Sequence, residues 1–135
     1  MKRTSQTGNT SCKADKLRTV SIDECIRRMK KSKILAVRDQ KSGPRGEMMG
    51  IQMVGVSFAE VNAAWESADK VESKEIAARW KSDAREVVDV SDATLETSAA
   101  MYLGMKEVLK KHKANAIAIN CLGGFYGNHI HAYPC

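Results

Sequence analysis

The residues best suited to chemistry are concentrated in the last sixteen positions of the chain. Residues 120–135, Asn-Cys-Leu-Gly-Gly-Phe-Tyr-Gly-Asn-His-Ile-His-Ala-Tyr-Pro-Cys, hold three glycines, two histidines, two tyrosines and two cysteines. Adjacent glycines directly after a strand let a backbone approach a ligand closely, and Tyr, Asn and His are neutral hydrogen-bond partners for hydroxyl-rich molecules. We therefore expect a loop here that binds a polar small molecule, through Asn120, Cys121, Gly123, Gly124, Tyr126, Asn128, His129 and His131.

Two other chemistries are open to the same segment. The spacing His129-x-His131 places two imidazoles on one metal ion if the segment is extended, with Cys121 or Cys135 as a thiolate ligand. Cys121 is also a candidate nucleophile with a histidine as its base. However, two histidines without a defined third ligand are a weak metal signal, and a cysteine at the end of a buried strand is usually a small apolar residue. The sequence therefore favours binding of a polar ligand.

The elements that must position this segment are predicted by capping motifs and apolar runs. Ser21-x-x-Glu24 and Ser57-x-x-Glu60 have the form of capping boxes, so we interpret Glu60 as a cap rather than a catalyst. The predicted elements are helices over about 22–31, from 58, over 73–88 and over 92–112, and strands over about 33–38, 51–56 and 115–121, with a surface turn over 40–46. This order predicts an α/β fold, with a small Rossmann-like parallel sheet of about three strands flanked by helices.

Length and composition limit the class of protein. A chain of 135 residues with 43% hydrophobic and 28% charged residues is one globular domain by size. Residues 1–19 are polar and basic and are predicted to be a flexible tail, so the α/β domain covers 20–135. No apolar run is long enough to span a membrane, and no apolar stretch follows the first charges. We therefore expect no membrane partner and, with four cysteines lacking CxxC spacing, a reducing cytoplasm.

The net charge of +6 is unevenly distributed. Residues 1–33 carry ten Lys or Arg against three acids, whereas residues 34–135 are close to neutral. A basic stretch of this kind can hold phosphates. Nucleic acid is nevertheless an unlikely partner on sequence grounds, because no aromatic residues interleave to stack bases and helix-end cations complement the helix dipole.

The C-terminal segment resembles a known family. Residues 119–127, Ile-Asn-Cys-Leu-Gly-Gly-Phe-Tyr-Gly, followed by 132–135, Ala-Tyr-Pro-Cys, are similar to the middle region of the L-fucose and L-arabinose isomerase-like sugar isomerases. Residues 53–61, the helix around Trp80 and residues 101–106 fall in the order expected for the second domain of that family. The resemblance covers about residues 33–135 and implies that 20–135 is an incomplete second domain.

The resemblance implies an activity and a cofactor. Such isomerases interconvert aldoses and ketoses, using a divalent metal, typically manganese, held by carboxylates and a histidine. It implies that residues 120–135 border the sugar site and that the metal ligands lie beyond this chain, in which no acid follows Glu107. It also implies a helix between the first two strands, where only residues 39–50 are available. We therefore expect no catalytic residue and no metal ligand within this chain.

Two expectations about the whole molecule follow. The chain is expected to be a fragment or abbreviated relative of a sugar isomerase that contributes a substrate-side loop, and the alternative is a small sugar-binding or phosphometabolite-binding α/β module without catalysis. An open sheet leaves an unpaired strand edge, so a homo-oligomer is also possible.

Overall fold

The computed structural model describes residues 20–38 and 41–134. Its elements, in chain order, are α1 (Ile22–Lys30), β1 (Lys33–Arg38), β2 (Gly43–Met48), β3 (Ile51–Ser57), α2 (Phe58–Glu66), α3 (Lys70–Asp83), α4 (Asp92–Lys111), β4 (Ala116–Ile119) and α5 (Cys121–Tyr126). The predicted tail over 1–19 lies outside the described residues, as does Cys135, one of the candidate thiolate ligands.

The described strands form one mixed sheet in the order β2-β3-β1-β4. Strands β3, β1 and β4 are parallel, and Leu35 at the centre lies beside Val54 on one side and Ile117 on the other. The predicted α/β fold with a small Rossmann-like sheet flanked by helices is therefore confirmed, and the three predicted strands are parallel. The sheet also has a fourth strand, β2, which the sequence analysis did not predict and which is antiparallel.

The segment between β1 and β3 differs from both expectations for it. Residues 43–46, predicted as part of a surface turn, belong instead to β2 (Gly43–Met48), which pairs antiparallel with β3. The helix implied by the family resemblance is absent from the described residues of this segment. Pro44 and Gly46 are typical of turns, but an edge strand pairs on one side only, and the register shift between Pro44 and Glu47 accommodates both residues.

The core lies between one face of the sheet and the helices α2 and α4. Leu35, Val37 and Val56 from the strands meet Val61 of α2 and Met101 of α4, and all five are fully buried. Both helices begin where the sequence predicts, because the Ser57 hydroxyl accepts from the Glu60 amide and the Ser91 hydroxyl accepts from the Thr94 amide.

Two elements, α3 and β4, have boundaries that differ from the predicted ones. Helix α3 starts earlier than predicted because the Asp69 carboxylate accepts from the amides of Val71 and Glu72, both at 2.8 Å. It also ends at Asp83 rather than at 88, since Ala84 is already extended. Strand β4 is shorter than predicted because Cys121 belongs to α5. None of the helices in the described ranges combines the length and apolar character needed to cross a membrane.

Candidate functional site

The segment predicted as a glycine-rich loop begins as a short helix. Residues 121–126 form α5, with Asn120 as its N-cap: the Asn120 Oδ1 accepts from the Gly123 amide at 3.3 Å. The Asn120 amide donates to the carbonyl of Val37, which fixes the start of α5 to the end of β1. The expectation of a loop is therefore wrong for 121–126: the Asn120 side chain caps the helix, and packing of Gly124 against Phe58 helps to offset the low helix propensity of the two glycines.

The two adjacent glycines make room for the protein's own side chains. A Cβ atom at position 124 would lie 2.9 Å from the Phe58 ring. A Cβ atom at position 123 would lie 2.5 Å from the side-chain nitrogen Nδ2 of Asn120. Gly124 is buried, so its missing side chain serves the packing of α5 against α2. Because positions 123 and 124 lack a Cβ atom, α5 lies close to Phe58 of α2 and to the side chain of its N-cap residue, Asn120.

Helix α5 ends in a Schellman motif that turns the chain back along α2. Asn128 is left-handed, with φ at 53°, which asparagine tolerates better than most residues. The His129 amide donates to the carbonyl of Gly124 at 2.7 Å, and the Asn128 amide donates to the carbonyl of Phe125 at 3.0 Å. Residues 128–131 consequently run beside α2.

A cleft of about 490 Å³ opens between α2 and this returning segment. Its lining residues are Ser57, Phe58, Ala59, Asn62, Ala63, Glu66, Asn128, His129 and His131. Because Ser57 ends β3, the cleft lies at the carboxyl edge of the parallel strands, where open α/β sheets bind ligands.

Both histidines beside the cleft are exposed, and each imidazole contacts one aromatic ring. The His129 ring stacks on Phe58, with centroids 5.9 Å apart and planes 18° apart. The same ring lies over Gly127, where a Cβ atom would come within 2.5 Å of His129 Cδ2. The His131 ring meets the edge of Trp65 at 5.9 Å. The two histidines therefore occupy defined positions beside the cleft.

Asn62 is the site residue that the sequence analysis missed. It is only 8% exposed, and its Nδ2 donates to the carbonyl of His129 at 2.8 Å. Its Oδ1 accepts from the amide of His131 at 3.4 Å, a weaker bond. Asn62 follows Phe58 by four residues, so the helical spacing places it on the same buried face of α2. This spacing could have identified Asn62 from the sequence as a buried polar residue. A single buried amide thus fixes the backbone of both histidines.

The structure brings together three of the eight predicted site residues, namely Asn128, His129 and His131. The other five, Asn120, Cys121, Gly123, Gly124 and Tyr126, do not line this cleft, and Tyr126 is 90% exposed at the end of α5. A ligand-binding role for those five stays a prediction. Among residues 20–38 and 41–134, no group of three or more His, Cys, Asp or Glu side chains is placed to hold a metal ion.

Glu60 lies in a polar cluster outside the cleft. Its carboxylate accepts from Lys111 at 2.8 Å, from Ser42 at 2.9 Å and pairs with His112 at 2.7 Å. Burial raises the pKa of Glu60, but the hydrogen bonds from these three groups outweigh it and lower the pKa to about 2. The Ser57 amide donates to Ser42 instead of to Glu60, so only the serine half of the predicted capping box forms.

A larger cavity of about 760 Å³ lies elsewhere, between α3, α4 and the end of the described chain. Trp80, Leu95, Tyr102 and Tyr133 give it a largely apolar lining, and it contains none of the predicted site residues. We assign the candidate site to the smaller cleft because polar groups converge there.

Comparison with known protein families, with curated proteins and with solved structures finds no match to this chain.

Proposed function

We propose that this chain supplies part of the sugar-binding wall of an aldose–ketose isomerase of the L-fucose and L-arabinose type. The observation that supports the proposal is the convergence of His129, His131 and the buried Asn62 at the carboxyl edge of the sheet. The sequence resemblance, which rests on residues 119–127 and 132–135, supplies the substrate class.

The cleft offers hydrogen-bond partners that suit sugar hydroxyls. Imidazole nitrogens of His129 and His131 act as donor or acceptor according to their tautomer, the Ser57 hydroxyl does both, and the Glu66 carboxylate accepts. Each imidazole contacts one aromatic ring, Phe58 for His129 and Trp65 for His131, and these contacts favour the rotamers that face the cleft. The expected role of these residues is to orient the substrate.

The manganese expected for the family has no ligand set among the described residues. We propose that this chain supplies sugar contacts, and the resemblance implies that the carboxylate and histidine ligands lie outside these residues. A bound divalent metal polarises the sugar carbonyl and hydroxyl in such isomerases. Self-association of the chain also belongs to this proposal, because the open sheet has unpaired strand edges at β2 and β4 among the described residues.

The direct test is calorimetric titration of the 135-residue chain with L-fucose and L-arabinose. We expect binding in the millimolar range, weakened about tenfold by His129→Ala, because a hydrogen bond to a ligand hydroxyl is worth about 1 to 2 kcal/mol. His112→Ala is the matched control, since His112 lies in the Glu60 cluster and outside the cleft. Flat titrations at high millimolar sugar, or equal losses in both histidine variants, would contradict the proposal.

A second titration locates the sugar contacts within the segment. Tyr126→Phe is expected to leave affinity unchanged, because Tyr126 lies outside the cleft. If this variant loses affinity and His129→Ala does not, the sugar binds at α5 instead. Turnover is a separate test. Conversion of an aldose to a ketose by this chain, at a rate above that of the metal ion alone, would contradict the expectation that the metal ligands lie outside these residues.

A phosphometabolite-binding module is the second candidate, and one observation favours it. Ser57, Phe58 and Ala59 at the start of α2 line the cleft, and the amides and dipole of a helix start favour a phosphate. A sugar phosphate that binds more than about tenfold tighter than the free sugar, and that inorganic phosphate displaces, would favour this candidate over the isomerase.

A further inference from the structure

The cavity of about 760 Å³ between α3, α4 and residues 133–134 shares no lining residue with the cleft that holds the proposed sugar site. Its volume lies within the range of about 300 to 1,000 Å³ that is typical of small-molecule sites. Only 5% of the chain is aromatic, yet three of the nine lining residues, Trp80, Tyr102 and Tyr133, carry aromatic rings. We call this opening the aromatic cavity. The proposed sugar site does not account for this concentration of rings.

The rings of the aromatic cavity come from three separate parts of the chain. Trp80 on α3 and Tyr102 on α4 have centroids 5.8 Å apart and planes 71° apart, so the two rings are nearly perpendicular. Tyr133 comes from the C-terminal segment, where its ring packs against Phe125 with centroids 4.8 Å apart. A flat ligand can lie parallel to only one of two perpendicular rings, whereas a rounded group can contact both.

The charge of the lining is negative. Among the described residues, Asp89 is the only charged side chain that lines the aromatic cavity. It lies in the loop between α3 and α4 with a left-handed φ of 54°, which aspartate tolerates better than most residues. Asp89 makes no ion pair within residues 20–38 and 41–134. The faces of aromatic rings carry partial negative charge as well, so the rings and the carboxylate favour a ligand of positive charge.

Tyr102 already contacts a cation of the protein itself. Lys106, four residues further along α4, holds its ammonium group 5.3 Å from the centroid of the Tyr102 ring. This distance is within the limit of about 6 Å at which a ring face attracts an ammonium group. Lys106 is exposed and does not line the aromatic cavity. The contact shows that the Tyr102 ring is accessible to an ammonium group, and it leaves Trp80 and Tyr133 available to a ligand.

We propose that the aromatic cavity binds an organic cation, namely an alkylated ammonium group attached to an apolar body. The ammonium group lies against the rings and beside Asp89, because aromatic rings attract quaternary ammonium groups and the carboxylate adds an opposite charge. Val90, Leu95 and Pro134 supply apolar contacts for the body of the ligand. The net charge of the whole protein is +6, so attraction of a cation must come from this local arrangement and not from the general surface.

Other classes of ligand fit the aromatic cavity less well. An anion is repelled by Asp89, and a neutral apolar molecule gains nothing from this carboxylate. A divalent metal ion requires several oxygen, nitrogen or sulfur ligands, whereas the described lining contains one carboxylate and no histidine or cysteine. The proposal does not rest on the sugar site, so either one can fail without the other.

Calorimetric titration with choline and with 3,3-dimethylbutan-1-ol tests the proposal on the unaltered 135-residue chain. The two molecules have the same shape and the same hydroxyl group, and they differ only in the positive charge of the nitrogen. We expect choline to bind about tenfold tighter, and benzyltrimethylammonium to bind tighter still because its ring fills the apolar part of the cavity. Equal affinity for the neutral molecule, or no binding of either cation at high millimolar concentration, would overturn the proposal. Displacement of choline by L-fucose would also overturn it and would assign the cavity to a sugar.

Variants of the lining locate the cation. Asp89→Asn should weaken choline binding about fivefold to tenfold, and asparagine keeps the tolerance of the left-handed backbone. Glu86→Gln is the matched control, since Glu86 is an exposed acid of the same loop outside the lining. Tyr102→Leu should weaken binding about tenfold, whereas Tyr102→Phe keeps the ring and should keep the affinity. Lys106→Met should not lower the affinity, because Lys106 lies outside the lining.

Two results with these variants would contradict the proposal. Equal losses in Asp89→Asn and Glu86→Gln would show that choline responds only to the overall charge of the loop. Equal losses in Tyr102→Phe and Tyr102→Leu would show that the hydroxyl group, and not the ring, contacts the ligand. Circular dichroism of each variant separates loss of binding from loss of the fold, and the comparison of choline with its neutral analogue requires no variant.

Discussion

Replacing Gly104 by alanine should destabilise this protein, although the same change in most helices is stabilising. Gly104 lies in the interior of α4, where alanine is favoured over glycine by about 1 kcal/mol on helix propensity alone. Here a Cβ atom would lie 2.7 Å from the backbone nitrogen of Trp65 and 2.9 Å from the carbonyl carbon of Ala64. The absence of a side chain at this position sets the distance between α2 and α4.

The size of the effect follows from what the new methyl group meets. The atoms in its way are backbone atoms of α2, so no side-chain rotation relieves the clash and the helices must separate. Overpacking of this kind costs about 1 to 3 kcal/mol, and the upper part of that range applies when backbone must shift. After subtraction of the propensity gain, we expect a net loss of about 2 kcal/mol in the free energy of unfolding.

Urea denaturation followed by circular dichroism measures this loss. All variants should be compared at one protein concentration, because association shifts apparent stability. Glu107→Ala, at an exposed position of the same helix, is the control and should change stability by no more than about 0.5 kcal/mol. If Gly104→Ala were as stable as the parent or more so, the close contact between α2 and α4 would be wrong.

Three further predictions concern the site and its surroundings. Asn62→Ala should cost about 1 to 3 kcal/mol in thermal or urea unfolding, because the carbonyl of His129 loses its buried donor, and a smaller cost would mean that water replaces the amide. The Glu60 pKa of about 2, against 4.5 for an ordinary glutamate, implies stability that is fully present above about pH 4.5 and is lost as the pH falls through 2. The full linkage value of roughly 3 kcal/mol is reduced by solvent screening to about 1 to 2 kcal/mol; Glu60→Gln should flatten this part of the pH profile, and an unchanged profile would refute the assignment. Asn128→Val should cost about 1 to 2 kcal/mol because a β-branched residue resists the left-handed conformation, whereas Asn128→Gly should be close to neutral by the same measurement.

Local features of the sequence determined most of the elements. The serines at 57 and 91 mark helix starts because a hydroxyl that caps a helix acts within three residues, and the structure shows both bonds. The apolar runs at 33–38 and 51–56 form strands because a buried strand needs little more than apolar side chains of sufficient length. Periodicity and caps are local properties, so the sequence displays them directly.

Tertiary contacts decided the remainder. Pro44 and Gly46 read as a turn because their edge pairing with β3 depends on a neighbour that the local pattern does not show. Residues 121–126 form a helix rather than a loop because the local cap at Asn120 acts together with the packing of Gly124 against Phe58, sixty-six positions earlier in the chain. The sequence alone determined that His129 and His131 are two residues apart in a polar segment. Only the packing of that segment against α2 placed both beside Asn62, because a hydrogen bond between distant residues depends on the folded chain.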